Sequence, residues 1–179
     1  AEQSVSVEGQ ENIIDLLELD VRSGTWDIDY DRTCVGRHNG LQIFITIPEV
    51  QRLEIHGSGN ITSENTLETE DLELKIQGSG DMDLAVKTTN LSTRIEGSGS
   101  TKLEGITDDL DVIIRGSGDI KAFDLETLRA NVNVAGSGDV ELNVIDFLEV
   151  TINGSGDVYY RGNPQTDITI NGSGDVRGV

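Results

Sequence analysis

Gly57-Ser58-Gly59-Asn60 is restated six times along the chain. The further copies are Gly78-Ser79-Gly80-Asp81, Gly97-Ser98-Gly99-Ser100, Gly116-Ser117-Gly118-Asp119, Gly136-Ser137-Gly138-Asp139, Gly154-Ser155-Gly156-Asp157 and Gly172-Ser173-Gly174-Asp175. The steps between copies are 21, 19, 19, 20, 18 and 18 residues. Self-similarity at such a period marks a solenoid, in which one repeat is one coil and no coil buries its apolar side alone.

The residues around each copy say what kind of coil it is. Two positions before the motif stand Ile55, Ile76, Ile95, Ile114, Val134, Ile152 and Ile170, and four before stand Leu53, Leu74, Thr93, Val112, Val132, Val150 and Ile168. Leu72, Leu91, Leu110, Ala130 and Leu148 recur six before, while the intervening positions, such as Glu54, Lys75 and Arg94, are polar. That is the period of a strand with one face in and one face out. After the motif a second short strand begins with Ile61, Met82, Thr101, Ile120, Val140, Val158 and Val176. The segment beyond this strand varies in length, as in Lys87-Thr88-Thr89-Asn90 or Asn163-Pro164-Gln165, and reads as the loop side of each coil. A period drifting between 18 and 21 does not suit the strict rhythm of a left-handed helix, and parallel crossovers are almost always right-handed. The expected fold is all-β: a right-handed parallel β-helix over residues 1–179, with 1–50 as irregular N-terminal coils or a cap and 51–179 as seven repeats.

Within residues 1–50, Val5-Ser6-Val7-Glu8 and Leu41–Ile47 read as strands and Ser23-Gly24 as a turn. Trp26, Ile28 and Tyr30 alternate, and the cluster Ile13, Ile14, Leu16 and Leu17 suits one helical turn or an irregular cap.

Bulk composition narrows the function classes. The chain carries 13 Lys+Arg against 33 Asp+Glu, a net charge of −20, which repels nucleic acid and anionic membrane surfaces. A hydrophobic content of 35% is low for a globular domain and fits a thin coil with much surface per residue. Cys34 is the single cysteine, so no disulfide framework or cysteine zinc site forms within one chain. No apolar run approaches the roughly 20 residues of a membrane helix, so no membrane insertion is expected.

The motif itself has two readings. As a corner, its glycines supply positive φ and room where a Cβ would strike the coil above. Its serines form a column, and Asp, Asn60 or Ser100 in fourth place contributes a short oxygen able to close a turn. As a ligand set, the Asp119, Asp139, Asp157 and Asp175 column would offer Ca²⁺ hard oxygens. The nine-residue Gly-Gly-x-Gly-x-Asp spacing of calcium-binding β-rolls is absent, so the corner reading leads and no cofactor is expected. His38 and His56 are 18 residues apart, close to one coil, but two histidines without a third ligand do not make a metal site. Trp26, Tyr30, Tyr159 and Tyr160 are candidates for stacking on sugars; core or capping use is the simpler assignment, and only Tyr159, beside Asp157, is expected on the outward face.

The run Leu41-Gln-Ile-Phe-Ile-Thr-Ile-Pro48, followed by Gln51-Arg-Leu-Glu-Ile-His-Gly-Ser-Gly-Asn-Ile61 and the repeated corners, resembles the head GIN-domain family of proposed autotransporter adhesins. The resemblance covers most of the chain, most strongly residues 41–179. It implies a bacterial protein that is secreted, periplasmic or at the cell surface, with a β-helix similar to that of pectin lyases and no assigned catalytic residues. The leading expectation is a non-enzymatic module for adhesion or scaffolding, with a cell-surface protein or a glycan as partner. A polysaccharide-binding or -cleaving β-helix and a calcium-binding solenoid are the alternatives. Cleavage needs a unique acid–base cluster, whereas the carboxylates here recur at equivalent corners. The last coil, with Ile168, Ile170 and Val176 beneath the stack, is expected to associate as a weak homodimer through coil ends.

Overall fold

The computed structural model describes residues 3–18, 21–30 and 40–179. Cys34 and His38 lie outside the described residues. The chain gathers into two compact units, Ala1–Pro48 and Glu49–Val179.

The second unit is a parallel β-solenoid of about seven turns. Its strands pair in the register that the motif announces. Gly57 lies beside Gly78, and Gly97, Gly116, Gly136, Gly154 and Gly172 continue in one line. The same register aligns Ile55, Ile76, Ile95, Ile114, Val134, Ile152 and Ile170. From Ile76 to Ile152 this column is essentially inaccessible to solvent. A second column, Met82, Thr101, Ile120, Val140 and Val158, faces it from the strand after the corner and is equally buried. Each buried aliphatic side chain contributes about 1.5–3 kcal/mol, while ordering each residue costs about 1–2 kcal/mol. No single coil is stable by itself, and stability accumulates through contacts between neighbouring coils.

The loop side expected after the second strand is not a loop in the middle of the stack. Met82–Gly97, Ser100–Gly116, Asp119–Gly136 and Val140–Gly154 each run as strand through almost a full coil. Lys87-Thr88-Thr89-Asn90 reads as irregular because it is polar. Thr88, Thr107 and Thr127 are in fact buried, and the Thr88 hydroxyl donates to Thr107 Oγ1 at 2.9 Å. Thr107 Oγ1 lies 3.3 Å from the Thr89 carbonyl and 3.2 Å from that of Asp109, so the hydroxyls of Thr88 and Thr107 are satisfied and the third side closes as a ladder.

The coil that carries the Gly97 corner departs most from the repeat. It holds Thr93 and Thr101 where neighbouring coils hold Leu74, Val112, Met82 and Ile120. Thr93 is 1% exposed and Thr101 0%, and neither hydroxyl has a hydrogen-bond partner. Thr93→Val and Thr101→Val keep the branched shape and remove a stranded hydroxyl. Each is expected to stabilise the chain by about 1 kcal/mol. Thr107→Val should instead lower the melting temperature, since it takes away Thr88's acceptor. Thermal melts of the three variants followed by circular dichroism check the pair of signs.

In the first unit Ser4–Glu8 pairs antiparallel with Gln42–Thr46, placing Val5 beside Ile45 and Val7 beside Ile43. A four-residue helix, Glu11–Ile14, buries Ile13. Val21–Arg22 and Thr25–Trp26 form a tight hairpin whose turn residues, Ser23 and Gly24, have φ of 53° and 81°. Left-handed values at both central positions are what a two-residue hairpin needs to match strand twist. Leu17–Glu18 pairs with Asp29–Tyr30.

Candidate functional site

The seven corners are the feature every coil shares, and their geometry divides the labour among the four residues. The first glycine has a left-handed backbone, +132° at Gly116, a conformation that side chains with a Cβ rarely adopt. The second glycine has no such φ; from Gly80 onward it is glycine because the coils come too close for anything else. A Cβ on Gly99 would overlap the Gly80 carbonyl oxygen and lie 2.8 Å from Ile76 Cγ2.

The serine is exposed, and its backbone does the structural part. Ser79, Ser98, Ser117, Ser137, Ser155 and Ser173 each donate their N–H to the first-glycine carbonyl of the preceding coil, at 2.8–2.9 Å. The ladder thus passes through the corner without a break. Among the described residues these serine hydroxyls make no side-chain hydrogen bond, so they face solvent as a column.

The fourth residue behaves differently from a turn-closing side chain. Asn60 Oδ1 accepts the backbone N–H of Asp81 at 3.1 Å, and Asp81 Oδ1 accepts that of Ser100 at 2.9 Å. Asp119, Asp139 and Asp157 serve Asp139, Asp157 and Asp175 in the same way, at 3.0, 2.9 and 2.8 Å. The bonds therefore run between coils. The break comes at Ser100, whose side chain is one atom shorter: there the Asp119 N–H turns to the Gly99 carbonyl at 3.3 Å. Asp175 Oδ1 instead accepts the N–H of Val176 at 2.8 Å. An amide oxygen fills the role at Asn60, so the requirement is an acceptor and not a charge. Asp119→Ala is expected to cost about 0.5–2 kcal/mol, as loss of a capping acceptor does, while Asp119→Asn stays close to the parent in a chemical denaturation series.

The carboxylate oxygens left over are partly engaged. Asp157 Oδ2 accepts the Tyr159 hydroxyl at 3.2 Å, and Asp175 Oδ2 accepts Arg177 Nε at 2.6 Å. The Arg177 hydrogen bond, then the Val176 N–H, holds the Asp175 carboxyl below its ordinary range, and Asp157 raises the Tyr159 phenol. The stabilisation from Asp175 is thus present above the ordinary carboxylate range and is lost as pH falls through the lowered value. Among the described residues no three His, Asp or Glu side chains gather where they could hold a metal ion. His56 is exposed, with Nε2 3.1 Å from Glu54 Oε2.

Of the aromatic candidates, Tyr159 does face outward beside Asp157, whereas Tyr160 packs against the core in register with Leu142. Trp26 is half-buried, with its indole N–H unpartnered. An aromatic contact that sequence reasoning missed is Arg161, whose guanidinium sits 4.1 Å from the Phe123 ring centre. No residue spacing signals it, since the two lie on different coils at non-equivalent positions.

The outward face before the corner is the broadest regular surface, and it changes along the stack. In the first four coils it is ionic: Arg52 meets Glu73 at 2.7 Å, Gln77 meets Glu96 at 2.9 Å, and Arg115 meets Glu96 at 3.2 Å. Gln77, followed by Arg115 and Arg94, keeps the Glu96 carboxyl below its usual range. In the last three coils the two columns nearest the corner read Asn133, Ala135, Thr151, Asn153, Thr169 and Asn171, with no charge among them.

Comparison with known proteins adds to this geometry. The family described as "Putative auto-transporter adhesin, head GIN domain" matches residues 1–164. A solved "putative adhesin" from Bacteroides fragilis superposes with a TM-score of 0.95 at 24% identity, over 99% of this chain and 83% of that one. A "Putative lipid binding protein" from Parabacteroides distasonis gives 0.84 at 27% identity, over 100% and 85%. A further "putative adhesin" from Parabacteroides merdae gives 0.79 at 19% identity, over 99% and 83%. No curated protein matches the chain.

Proposed function

The chain belongs to the head GIN domain family, and on that premise we propose that it is a non-enzymatic β-solenoid module of the bacterial cell surface or envelope that works by adhesion. The observation that carries the reading is the fate of the repeated polar groups. Corner acceptors are spent on backbone N–H groups of the next coil, and the regular outward faces are left as the surface available to a partner. Such a stack fixes side chains in rows about 4.8 Å apart, a rigid display that loses little entropy when something binds along it. Glycoside hydrolysis would need two carboxylates in a shared cleft with environments that push their pKa values apart, and the corner aspartates are instead repeated one per coil. The net charge of −20 and the absence, among described residues, of a helix long and apolar enough to cross a membrane fit a role in front of the membrane.

The test is retention on surfaces set beside turnover. Fluorescently labelled protein is added to intact bacterial cells, to mucin-coated wells and to phosphatidylglycerol vesicles, and the same preparation is incubated with neutral and acidic polysaccharides. Saturable retention on cells or mucin without release of reducing or unsaturated ends is the expected result. Cleavage abolished by one substitution outside the core would overturn the reading in favour of a lyase or hydrolase. Retention on vesicles alone would overturn it in favour of lipid binding, the activity in the name of the Parabacteroides distasonis neighbour.

A further inference from the structure

We infer that the uncharged face of the last three coils is a binding surface for a neutral, unbranched polysaccharide, laid along the stack across the rows of Asn133, Thr151, Asn153, Thr169 and Asn171. This inference rests on the adhesive reading above and names the partner that this face fits.

The first observation is the distribution of charge. Asp+Glu number 33 in 179 residues, yet Asn133, Ala135, Thr151, Asn153, Thr169 and Asn171 form a run of three coils by two columns without an ionisable group. The same two columns in the first four coils hold Glu54, His56, Lys75, Arg94, Glu96 and Arg115. Among the described residues, all the ion pairs of this face lie there. An acidic column of Asp111, Glu149 and Asp167 with Asn131 bounds the patch on one side, and corner carboxylates bound it on the other. An anionic polymer would meet these borders unfavourably or need cations to cross them. A neutral one would not, and a patch without charge spares it the desolvation of an ion.

The second observation is hydrogen-bonding chemistry. Asn171 Nδ2 donates to Asn153 Oδ1 at 3.1 Å, which ties the two amides together along the stack. The pairing leaves Asn153 Nδ2 as a donor and Asn171 Oδ1 as an acceptor toward solvent. Ser137, Ser155 and Ser173 add exposed hydroxyls at the rim, and Thr169 is exposed on the other side of the asparagine column. Amides and hydroxyls present donors and acceptors side by side. The hydroxyls of a neutral sugar do the same, so each can be matched in pairs, and rows about 4.8 Å apart repeat that offer along an extended chain. Tyr159, just across the corner, is anchored by Asp157 and gives the neighbouring coil an aromatic edge. The ladder orders these groups before binding, which lowers the cost of ordering them afterwards.

The experiment is calorimetric titration of the full chain with cellohexaose, mannohexaose and xylohexaose, with hexagalacturonate as the charged counterpart. The doubly substituted Asn153→Asp/Asn171→Asp protein and, as a second route, Asn153→Lys are titrated in parallel. At least one neutral hexasaccharide is expected to bind the parent chain and to bind both variants at least about tenfold more weakly, with both variants still folded at the titration temperature by circular dichroism. Glu54→Gln, at the ionic end of the same face, should leave that affinity unaltered. Neutral-sugar binding that survives both substitutions would overturn this site, as would binding confined to hexagalacturonate. If no neutral sugar binds while the protein is still retained on cells or mucin, the inference falls and the adhesive reading stands. Loss of both removes both.

Discussion

Gly99→Ala is expected to destabilise the solenoid by at least about 3 kcal/mol, whereas Gly59→Ala should melt within a degree or two of the parent chain. The two glycines occupy the same place in the motif and neither has a left-handed φ. They differ in what lies above. An added methyl at Gly99 overlaps the Gly80 carbonyl oxygen and presses on Ile76 Cγ2, both inside the packed stack. At Gly59 nothing lies within 4 Å. Backbone cannot give way without separating two coils, and the coils on either side hold it in place. Thermal unfolding of the two variants side by side measures the difference. Equal melting temperatures would mean that the coils are spaced more loosely at the corner than the structure has them.

The second large effect is in the isoleucine column. Ile114 is 0% exposed between Ile95 and Val134, so Ile114→Ala should cost about 2–5 kcal/mol through lost contacts and the cavity left behind. Ile170 holds the equivalent place in the last coil but is 39% exposed. Ile170→Ala should therefore cost less than half as much. Because repeats unfold as coupled neighbours, the Ile114 variant is expected to shift the whole urea transition and the Ile170 variant only its early part. Hydrogen exchange resolved by coil distinguishes these two outcomes.

The corner column and the apolar columns were legible in the sequence because each repeat places the same residue type at the same distance from Gly-Ser-Gly. Register came from that alone: Ile55 and Ile76 had to be neighbours if Gly57 and Gly78 were. The third side was not legible. Its inward position is held by Thr88, Thr107 and Thr127, and threonine is read as polar until its hydroxyl is seen to find a partner inside. The direction of the corner bonds escaped for a related reason. Asp, Asn and Ser suit a bond within a turn as well as one to the next coil, and only the position of the neighbouring N–H decides between them. In residues 1–48 the strands could be found from alternation, but not their partners. Nothing in Val5-Ser6-Val7 specifies that it pairs antiparallel with Ile43-Phe44-Ile45 across the intervening hairpins. The uncharged face emerged only from the register, which sets Asn133 beside Thr151 and Asn153 between Ala135 and Asn171, and so turns scattered polar residues into a surface.

The measurement that bears most directly on the account replaces all five corner aspartates at once, Asp81, Asp119, Asp139, Asp157 and Asp175, by asparagine. Every acceptor that the next coil uses is kept, as Asn60 already demonstrates at 3.1 Å, and every corner charge is removed. Melting followed by circular dichroism, with and without millimolar calcium, is the readout. The account predicts the parent β-sheet spectrum, a melting temperature within a few degrees of the parent chain, and no response to calcium from either protein. A variant that fails to fold, beside a parent chain that calcium stabilises, would contradict it and make the corners a cation site.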